Sequence, residues 1–433
     1  MQNKKAILIL LLLVLKMSIV HSKEIYVPSQ FTSIQKAIEL ADTNDIVIVE
    51  PGIYKENLTI TKAIVLTSKY YLKNDSSYIR RTIIDGSLKN SVITIKTSNS
   101  KSCKIIGLTL QNGKSNNLYK DRGLTLGGGG GIFIESSSPV LEHLVIRNNQ
   151  SPFDGGGIFV KGIASPILKN VILKNNFADR NGGGFYCYNA VPVFQNCLIQ
   201  NNKSNNSGAG CFFSISSPRM TYCTIVENAS ATNGGGINYY CNFSDSAFLN
   251  HVTIASNKAD KKGGGILFTG QKGTDFPPVL VMNSIVWGNL SDNIAHDADY
   301  HVEISYSSTN TNNHQNEKLI YKEPIFYFDP LIDKNHQLLE GSPCIDAANI
   351  AIRPFNGKAP DVGAWESNFK TIANPLPTSD SIVTIPQTIA DTVNTNIITQ
   401  TIDTTINQQK KPKLDSISTT KPKPIKVYRK PFK

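Results

Sequence analysis

The sequence predicts an all-β protein built as a solenoid of short parallel strands. Two marks carry this prediction, because both return with one period along the chain. The last glycine of each glycine-rich triplet follows the previous one after 26, 27, 26, 26 and 29 residues, at Gly131, Gly157, Gly184, Gly210, Gly236 and Gly265. The asparagine that ends each unit keeps nearly the same spacing, at Asn149, Asn176, Asn202, Asn228, Asn257 and Asn289.

Each unit alternates apolar residues with others over short runs, which is the period of a β-strand. One aligned apolar column holds Ile146, Leu173, Ile199, Ile225, Ile254 and Val286. A neighbouring column holds His143, Asn170, Asn196, Tyr222, His251 and Asn283, which we interpret as a stack of turn residues. Such a unit cannot bury its apolar face alone, but parallel copies stacked about 4.8 Å apart can. We therefore predict a right-handed parallel β-helix with like residues lying over like residues.

The two ends differ from the repeats. Ile34, Ala37, Ile38 and Ala41 lie on one face of a predicted short helix, which would cap the open N-terminal end of the core. After Glu366 the chain has no glycine, cysteine or tryptophan, and this predicts a disordered C-terminal tail. The predicted parts are a signal peptide (1–22), the β-helix (23–300), a closing module (301–366) and a low-complexity Thr/Pro/Lys tail (367–433).

The first 22 residues are typical of a secretory signal. Lys4 and Lys5 precede an apolar stretch, and small residues follow up to Ser22. We therefore expect a secreted or cell-surface protein. Of the net charge of +11, the signal carries +3 and the last 25 residues carry +8, so the body is neutral. A basic tail of this kind either contacts an anionic envelope surface or serves solubility. No segment resembles a nucleic-acid-binding module, and no such partner is expected.

These features resemble known families. The repeats resemble the pectin-lyase-like β-helix superfamily, and the pairing of "GGGI" with an asparagine mark is similar to the polymorphic outer-membrane adhesins. Residues 329–366 resemble a choice-of-anchor Q module that follows secreted β-helices, through Asp329-Pro330, Gly341-Ser342-Pro343, Ile345-Asp346 and the stretch from Asp361 to Glu366. Ala348 stands where that module usually has glycine. The resemblance implies an architecture and leaves the activity open.

Outward-facing polar side chains are the candidates for function. Arg147 and Lys174 are predicted to be stacked neighbours, while Asp154 and Asp179 precede glycine triplets, with Arg180 beside them. These five residues form the predicted substrate-binding set. A polysaccharide lyase needs a base, and Ca²⁺, Arg or Lys to neutralise a uronate carboxylate. The outer face of a β-helix is always polar, however, so solvated charges are the simpler interpretation.

The main functional hypothesis is a β-helix that binds a polysaccharide or cell-surface glycan without catalysis. The alternative is a polysaccharide lyase, or a related carbohydrate-active enzyme, that acts on uronate-containing polymers. A third is a structural spacer. We expect no cofactor, except that Ca²⁺ would be needed by some lyases. Aromatic side chains in a row on one face would favour binding, and the nearest set is Tyr186, Tyr188, Tyr239 and Tyr240.

Three further sets of residues leave alternatives open. Cys197 and Cys223 share a column in adjacent coils, so they either form a disulfide or pack as small apolar side chains. His143 and His251 lie four coils apart, about 19 Å, too far to share a metal. One acidic segment combines oxygen and imidazole groups that would suit a cation, although surface polarity is favoured there: Asp292, His296, Asp297, Asp299, His301 and Glu303.

Overall fold

The computed structural model describes residues 22–97, 103–121, 124–243, 246–272, 278–310, 317–349 and 354–368. The predicted signal peptide, apart from Ser22, and the predicted tail beyond Asn368 lie outside these residues. Within them the chain winds into coils of parallel strands, so the predicted parallel β-helix is confirmed. No helix in these ranges is long and apolar enough to span a membrane.

Two large parallel sheets form most of the wall of the solenoid in the described ranges. The first has nine strands: Leu58–Ile60, Ile93–Ile95, Ile132–Glu135, Ile158–Lys161, Phe185–Tyr188, Cys211–Ser214, Ile237–Phe243, Ile266–Lys272 and Ile294–Asp299. The second has nineteen: Glu24–Val27, Ile46–Val49, Gly52–Tyr54, Val65–Ser68, Thr82–Asp85, Lys104–Ile106, Thr109–Gln111, Val140–Glu142, Val145–Arg147, Ile167–Lys169, Ile172–Lys174, Val193–Gln195, Leu198–Gln200, Arg219–Val226, Phe248–Ala255, Val279–Met282, Ile285–Trp287, Val302–Thr309 and Leu319–Phe326.

Smaller elements complete the described coils. A five-stranded parallel sheet precedes the glycine-rich loops, with strands Gln150–Ser151, Phe177–Ala178, Lys203–Ser204, Ala229–Ser230 and Lys258–Ala259. An antiparallel hairpin, Leu118–Asp121 with Leu124–Gly127, leaves the coil after Gly113. The helices are Ile34–Leu40, Tyr70–Lys73 and Ser77–Arg81.

The bend inside the nineteen-stranded sheet comes from one residue per coil. The predicted turn column has left-handed backbone angles, with φ between 49° and 56° at His143, Asn170, Asn196, Tyr222, His251 and Asn283. Asparagine adopts this conformation more readily than most residues, because its short polar side chain bonds locally. The strand pairs on either side of the column, such as Ile167–Lys169 and Ile172–Lys174, therefore face different directions within one coil.

A ladder of buried asparagines holds the coils in register. The Oδ1 atom of Asn202 accepts hydrogen bonds from the backbone N (3.0 Å) and the Nδ2 (3.0 Å) of Asn176 in the preceding coil. The Nδ2 of Asn176 also donates to the carbonyl oxygen of Ile146 at 3.0 Å. The same set of bonds recurs at the predicted mark asparagines from Asn149 to Asn257. Each of these amides is thus satisfied by partners in the adjacent coils, both the next asparagine and backbone groups.

The N-terminal end of the core is closed by the predicted helix. Ser33 caps it by accepting from the backbone N of Lys36 at 3.3 Å, and Ile34, Ala37 and Ile38 are buried against the first coils. The Glu56 carboxylate accepts from the backbone N of Ile34 at 2.9 Å. A negative group at this position also favours the positive end of the helix dipole.

The β-helix continues past residue 300, where we predicted its end. Val302–Thr309 and Leu319–Phe326 pair in parallel with the preceding strands, so the coils extend to Phe326. The described residues beyond that strand, 327–349 and 354–368, form turns around a small core, and we call them the closing segment. Leu338, Ile345 and Val362 of this segment pack together with Ile285 of the coils.

The ladder should dominate local stability, which Asn176→Asp tests. The new carboxylate oxygen would face the Ile146 carbonyl and the Asn202 Oδ1, where Nδ2 now donates. We expect the free energy of unfolding to fall by about 3 kcal/mol, because buried groups lose their partners. Asn175→Asp is the matched control, since Asn175 is exposed and its left-handed backbone tolerates Asp. Equal denaturation midpoints for the two variants would contradict the role of the ladder.

The seven cysteines are all free and buried, so Cys197 and Cys223 are thiols packed in the core. Burial raises the pKa of the Cys103 and Cys344 thiols to about 12, which removes the reactive thiolate.

We expect no thiol to react with a disulfide reagent in the native protein, and seven thiols to react in denaturant. A count of five in denaturant would instead indicate a disulfide.

Candidate functional site

The predicted site residues fall into two separate groups. Arg147 and Lys174 end neighbouring strands of the nineteen-stranded sheet and are direct register partners. Asp154, Asp179 and Arg180 lie around the corner, beyond the five-stranded sheet and next to the glycine-rich loops. The structure therefore does not join the five residues in one site.

Asp154 was expected on the outer surface, and this expectation is wrong. Its side chain is 0% exposed and is paired with the guanidinium of Arg180 in the next coil, whose Nε lies 2.9 Å from Oδ1. Asn181 also donates to Oδ1, from its backbone N at 3.2 Å and from Nδ2 at 3.1 Å. Burial raises the pKa of Asp154, and the Arg180 charge opposes that rise. The pair joins two coils and leaves neither oxygen for a ligand.

The other acids near the loops are ordinary surface groups. Asp179 is exposed and accepts from Asn205 Nδ2 at 3.2 Å. Asp260 is paired with Lys258 at 3.0 Å, with both side chains about half exposed in water. Surface pairs of this kind contribute little free energy.

Arg147 and Lys174 lie on a partly exposed strip of the outer face. The Nε and Nη2 of Arg147 donate to Gln111 Oε1 at 3.1 and 2.9 Å, which fixes the guanidinium. Neither cation forms an ion pair with a carboxylate in the described part of the chain, and neither does Lys169 in the middle coil. Glu142 lies beside Lys169 in register and contacts His143 Nε2 at 3.7 Å.

Aliphatic side chains form the floor of this strip. Val140, Ile167 and Val193 make one outward row, and Val145, Ile172 and Leu198 make another, all of them partly exposed. In adjacent coils the second row continues with Thr109 on one side and Thr224, Thr253 and Ile285 on the other, and these four are at most 3% exposed. The face is thus open over three coils, and we call residues 140–147, 167–174 and 193–200 the open window.

An excursion of the chain closes the window on the N-terminal side. Residues 69–81, which include the two short helices, pack on the outer face of the preceding coil. Thr109 Oγ1 donates to the Ile79 carbonyl at 2.7 Å. The Tyr70 ring lies 4.7 Å from the His143 ring, centroid to centroid. Gly107 has no room for a side chain, because a Cβ there would lie 2.7 Å from the Tyr70 Cβ.

The closing segment covers the same face on the C-terminal side. Ala364 N donates to Thr253 Oγ1 at 3.0 Å, and Asn349 N donates to Asn283 Oδ1 at 2.9 Å. His251 is fully buried, with Nδ1 3.1 Å from the Asp361 carbonyl oxygen. The Tyr222 ring stacks on His251 at 4.8 Å. His143 and His251 therefore have separate structural roles at the two ends of the window.

Two amides lie between these ends. Asn170 and Asn196 carry the turn column across the window, and Asn196 Nδ2 donates to Asn170 Oδ1. Asn170 Nδ2 in turn contacts His143 Nε2 at 3.2 Å. Sequence reasoning assigned this column to turns alone. Its partial exposure in the middle coils was not foreseen, because the cover at either end comes from residues distant in sequence.

The acidic segment 291–303 does not form a metal site. Asp297 pairs with Lys262, Asp299 pairs with Lys318, and Glu303 pairs with Lys322. His296 is half-buried, and burial lowers its pKa. Across the described ranges, no group of three or more His, Cys, Asp or Glu side chains could hold a metal ion.

The four tyrosines named as nearest to an aromatic row do not form one together. Tyr239 is 1% exposed in the core, whereas Tyr240 is exposed outside. The row that the structure contains includes Tyr186, but its other members were not foreseen: Phe133, Phe159, Tyr186 and Phe212 stack in adjacent coils with centroids 5.7, 5.1 and 5.3 Å apart. Each is the second residue after its glycine triplet, which is the signal that could have found them. Their ring faces cover one another, so the row stabilises the coils rather than offering a platform.

Comparison with known proteins supports the fold. Residues 56–278 match the family described as "Right handed beta helix region". The chain belongs to this family. Two solved chains are similar over 80% of this chain and 92% of theirs, both of pectin methylesterase: a mutant in complex with hexasaccharide IV (16% identity) and a complex with hexasaccharide VII (15%). The TM-score is 0.29 for each, so the support for the fold comes from the family match alone. No match to a curated protein was found.

The Asp154–Arg180 pair should matter for stability and not for binding. Asp154→Asn removes the charge that Arg180 faces. We expect the free energy of unfolding to fall by about 2 kcal/mol, less than for a fully buried pair because Arg180 is partly exposed. Asp179→Asn, one coil away and exposed, should change it by no more than about 0.5 kcal/mol. Chemical denaturation measures both, and a larger loss for Asp179→Asn would contradict this assignment.

Proposed function

We propose that the protein binds a linear acidic glycan at the open window and does not cleave it. The observation that carries the proposal is the row formed by Arg147 and Lys174, with Lys169 beside it. Among the described residues these cations have no carboxylate partner, and they border a partly exposed aliphatic floor. A uronate or a sulfated sugar has the matching chemistry, since it carries an anionic group on a ring whose C–H faces are apolar. Asn170 and Asn196 add amide donors and acceptors for hydroxyl groups.

Charge favours an acidic ligand over a neutral one. The window holds three cations and one carboxylate, Glu142, whereas the body of the chain that contains it has no net charge. Hydrogen bonds to charged groups contribute about 1.5–3 kcal/mol each, more than neutral ones. Arg147 is already oriented by Gln111, so less side-chain entropy is lost when it binds an anion.

The location of the protein forms part of the same proposal. The signal-like N-terminus, the resemblance of residues 329–366 to a choice-of-anchor Q module and the adhesin-like repeats support a secreted or surface-displayed β-helix. The basic tail would then contact an anionic envelope surface. A glycan-binding face on the coils and a charged tail beyond them would serve attachment between two surfaces.

The test uses the full-length protein and four immobilised polymers: polygalacturonate, alginate, dextran sulfate and neutral dextran. We expect retention on at least one acidic polymer and none on dextran. Comparing polygalacturonate and alginate with dextran sulfate shows whether a carboxylate or a sulfate is preferred. Arg147→Gln combined with Lys174→Gln should weaken binding at least tenfold, because two charge-assisted contacts are lost.

The matched control is Lys114→Gln combined with Lys203→Gln. Both lysines are exposed on the side of the five-stranded sheet, so the net charge changes equally without touching the window. An equal loss of affinity for the acidic polymer in both double variants would contradict the proposal, and so would the absence of retention on any acidic polymer. Ultraviolet absorbance of unsaturated products is followed in parallel, with and without Ca²⁺. A rise that depends on Arg147 or Lys174 would replace binding with the lyase alternative.

A further inference from the structure

We infer that the glycan chain lies along the solenoid axis and that the window limits its contacts to three coils. This inference rests on the proposed function. It follows from the repeat, because equivalent side chains in successive coils form rows parallel to the axis. Arg147 and Lys174 are Cα partners in one row, and Glu142, Lys169 and Gln195 are partners in another. A chain along the axis passes from one member of a row to the next at each step of about 4.8 Å.

A chain that wound around one coil would meet a different surface. Within the coil 167–174 it would cross Lys169, Asn170 and Lys174 and then reach the corner at Asn175. At that corner the chain turns into the five-stranded sheet through the buried Asn176, so the face ends there. Such a path would use Lys174 or Arg147, but not both. The row of cations therefore favours the axial direction.

The two ends of the window set its length. Tyr70 lies over the first end, against His143 and Gly107. At the other end, the coil 219–226 already has Tyr222, Thr224 and Val226 at 9% exposure or less on this face. Three open coils correspond to a length of about 14 Å. Parts of a polymer beyond that length would leave the row and lie over the excursion 69–81 or the closing segment.

The position of each cation then predicts how its loss depends on ligand length. Lys174 lies in the middle coil, and Arg147 lies one coil, about 4.8 Å, before it. A single uronate can contact only one of these cations. A fragment of two or more units that runs along the axis contacts both in its preferred position, because each charged contact adds to its affinity.

The experiment measures the dissociation constants of a uronate monosaccharide and of uronate oligosaccharides up to the octamer, with the full-length protein and two single variants. For the unchanged protein we expect affinity to rise with length until the window is filled, and then to level off. Lys174→Gln and Arg147→Gln should each weaken the dimer and every longer fragment about tenfold. Each should weaken the monosaccharide by no more than about twofold, because it can bind at the remaining cation. Unfolding midpoints of the variants are measured first, so that misfolding is recognised.

The outcomes separate the two proposals. If neither the polymers nor the fragments bind, the proposed function fails. If they bind and only one of the two cations matters at every length, the chain does not run along the axis. Affinity that keeps rising up to the octamer would show that the excursion and the closing segment do not limit the site. Each of the last two results overturns this inference and leaves glycan binding intact.

Discussion

The structure depends on the register that the buried asparagines impose. Each amide is satisfied by the amide one coil away, so a slip of one residue would leave donors and acceptors buried without partners. Those losses cost about 1–3 kcal/mol per group, and six mark asparagines contribute. Coils of unequal length must therefore place their extra residues elsewhere. In the unit from Asn228 to Asn257 the extra residues lie between Gly236 and Phe248, where the strand Ile237–Phe243 is longer than its neighbour Cys211–Ser214.

This constraint separates scaffold from function. Inward positions repeat because they fill one continuous core, as Leu141, Leu168 and Phe194 do in successive coils. The aromatic row at Phe159 and the ion pair at Asp154 serve the same end, since both join one coil to the next. Only outward side chains are free to differ between coils. Function then requires that some of them remain uncovered, which holds between the excursion 69–81 and the closing segment.

The repeat allowed much of the fold to be predicted from the sequence. The strands, the capping helix and the turn column at Asn170 followed from period and residue type. The end of the β-helix did not, because Val302–Thr309 and Leu319–Phe326 lack the glycine triplet that marks earlier coils. The Arg147–Lys174 row could also be predicted, since it needs only alignment of neighbouring units. The burial of Asp154 could not, because it depends on how the loop before Gly155 turns inward toward Arg180.

The limits of the open window were beyond sequence reasoning for a different reason. Ala364 and Thr253 lie 111 residues apart, and no periodic signal connects such contacts. The column that holds Val145, Ile172 and Leu198 continues with Thr224 and Thr253, so its polar members are the covered ones and residue type alone would predict the reverse. Its exposure changes only because two distant segments fold over its ends.

The most direct test of the account is the acetylation rate of each lysine, measured by mass spectrometry with and without an acidic polymer that binds. The account predicts that the polymer slows modification of Lys169 and Lys174 and leaves Lys114 and Lys203 unchanged. Protection of Lys114 and Lys203 with no protection at Lys174 would place the ligand on another face and contradict the central claim that function lies in the open window.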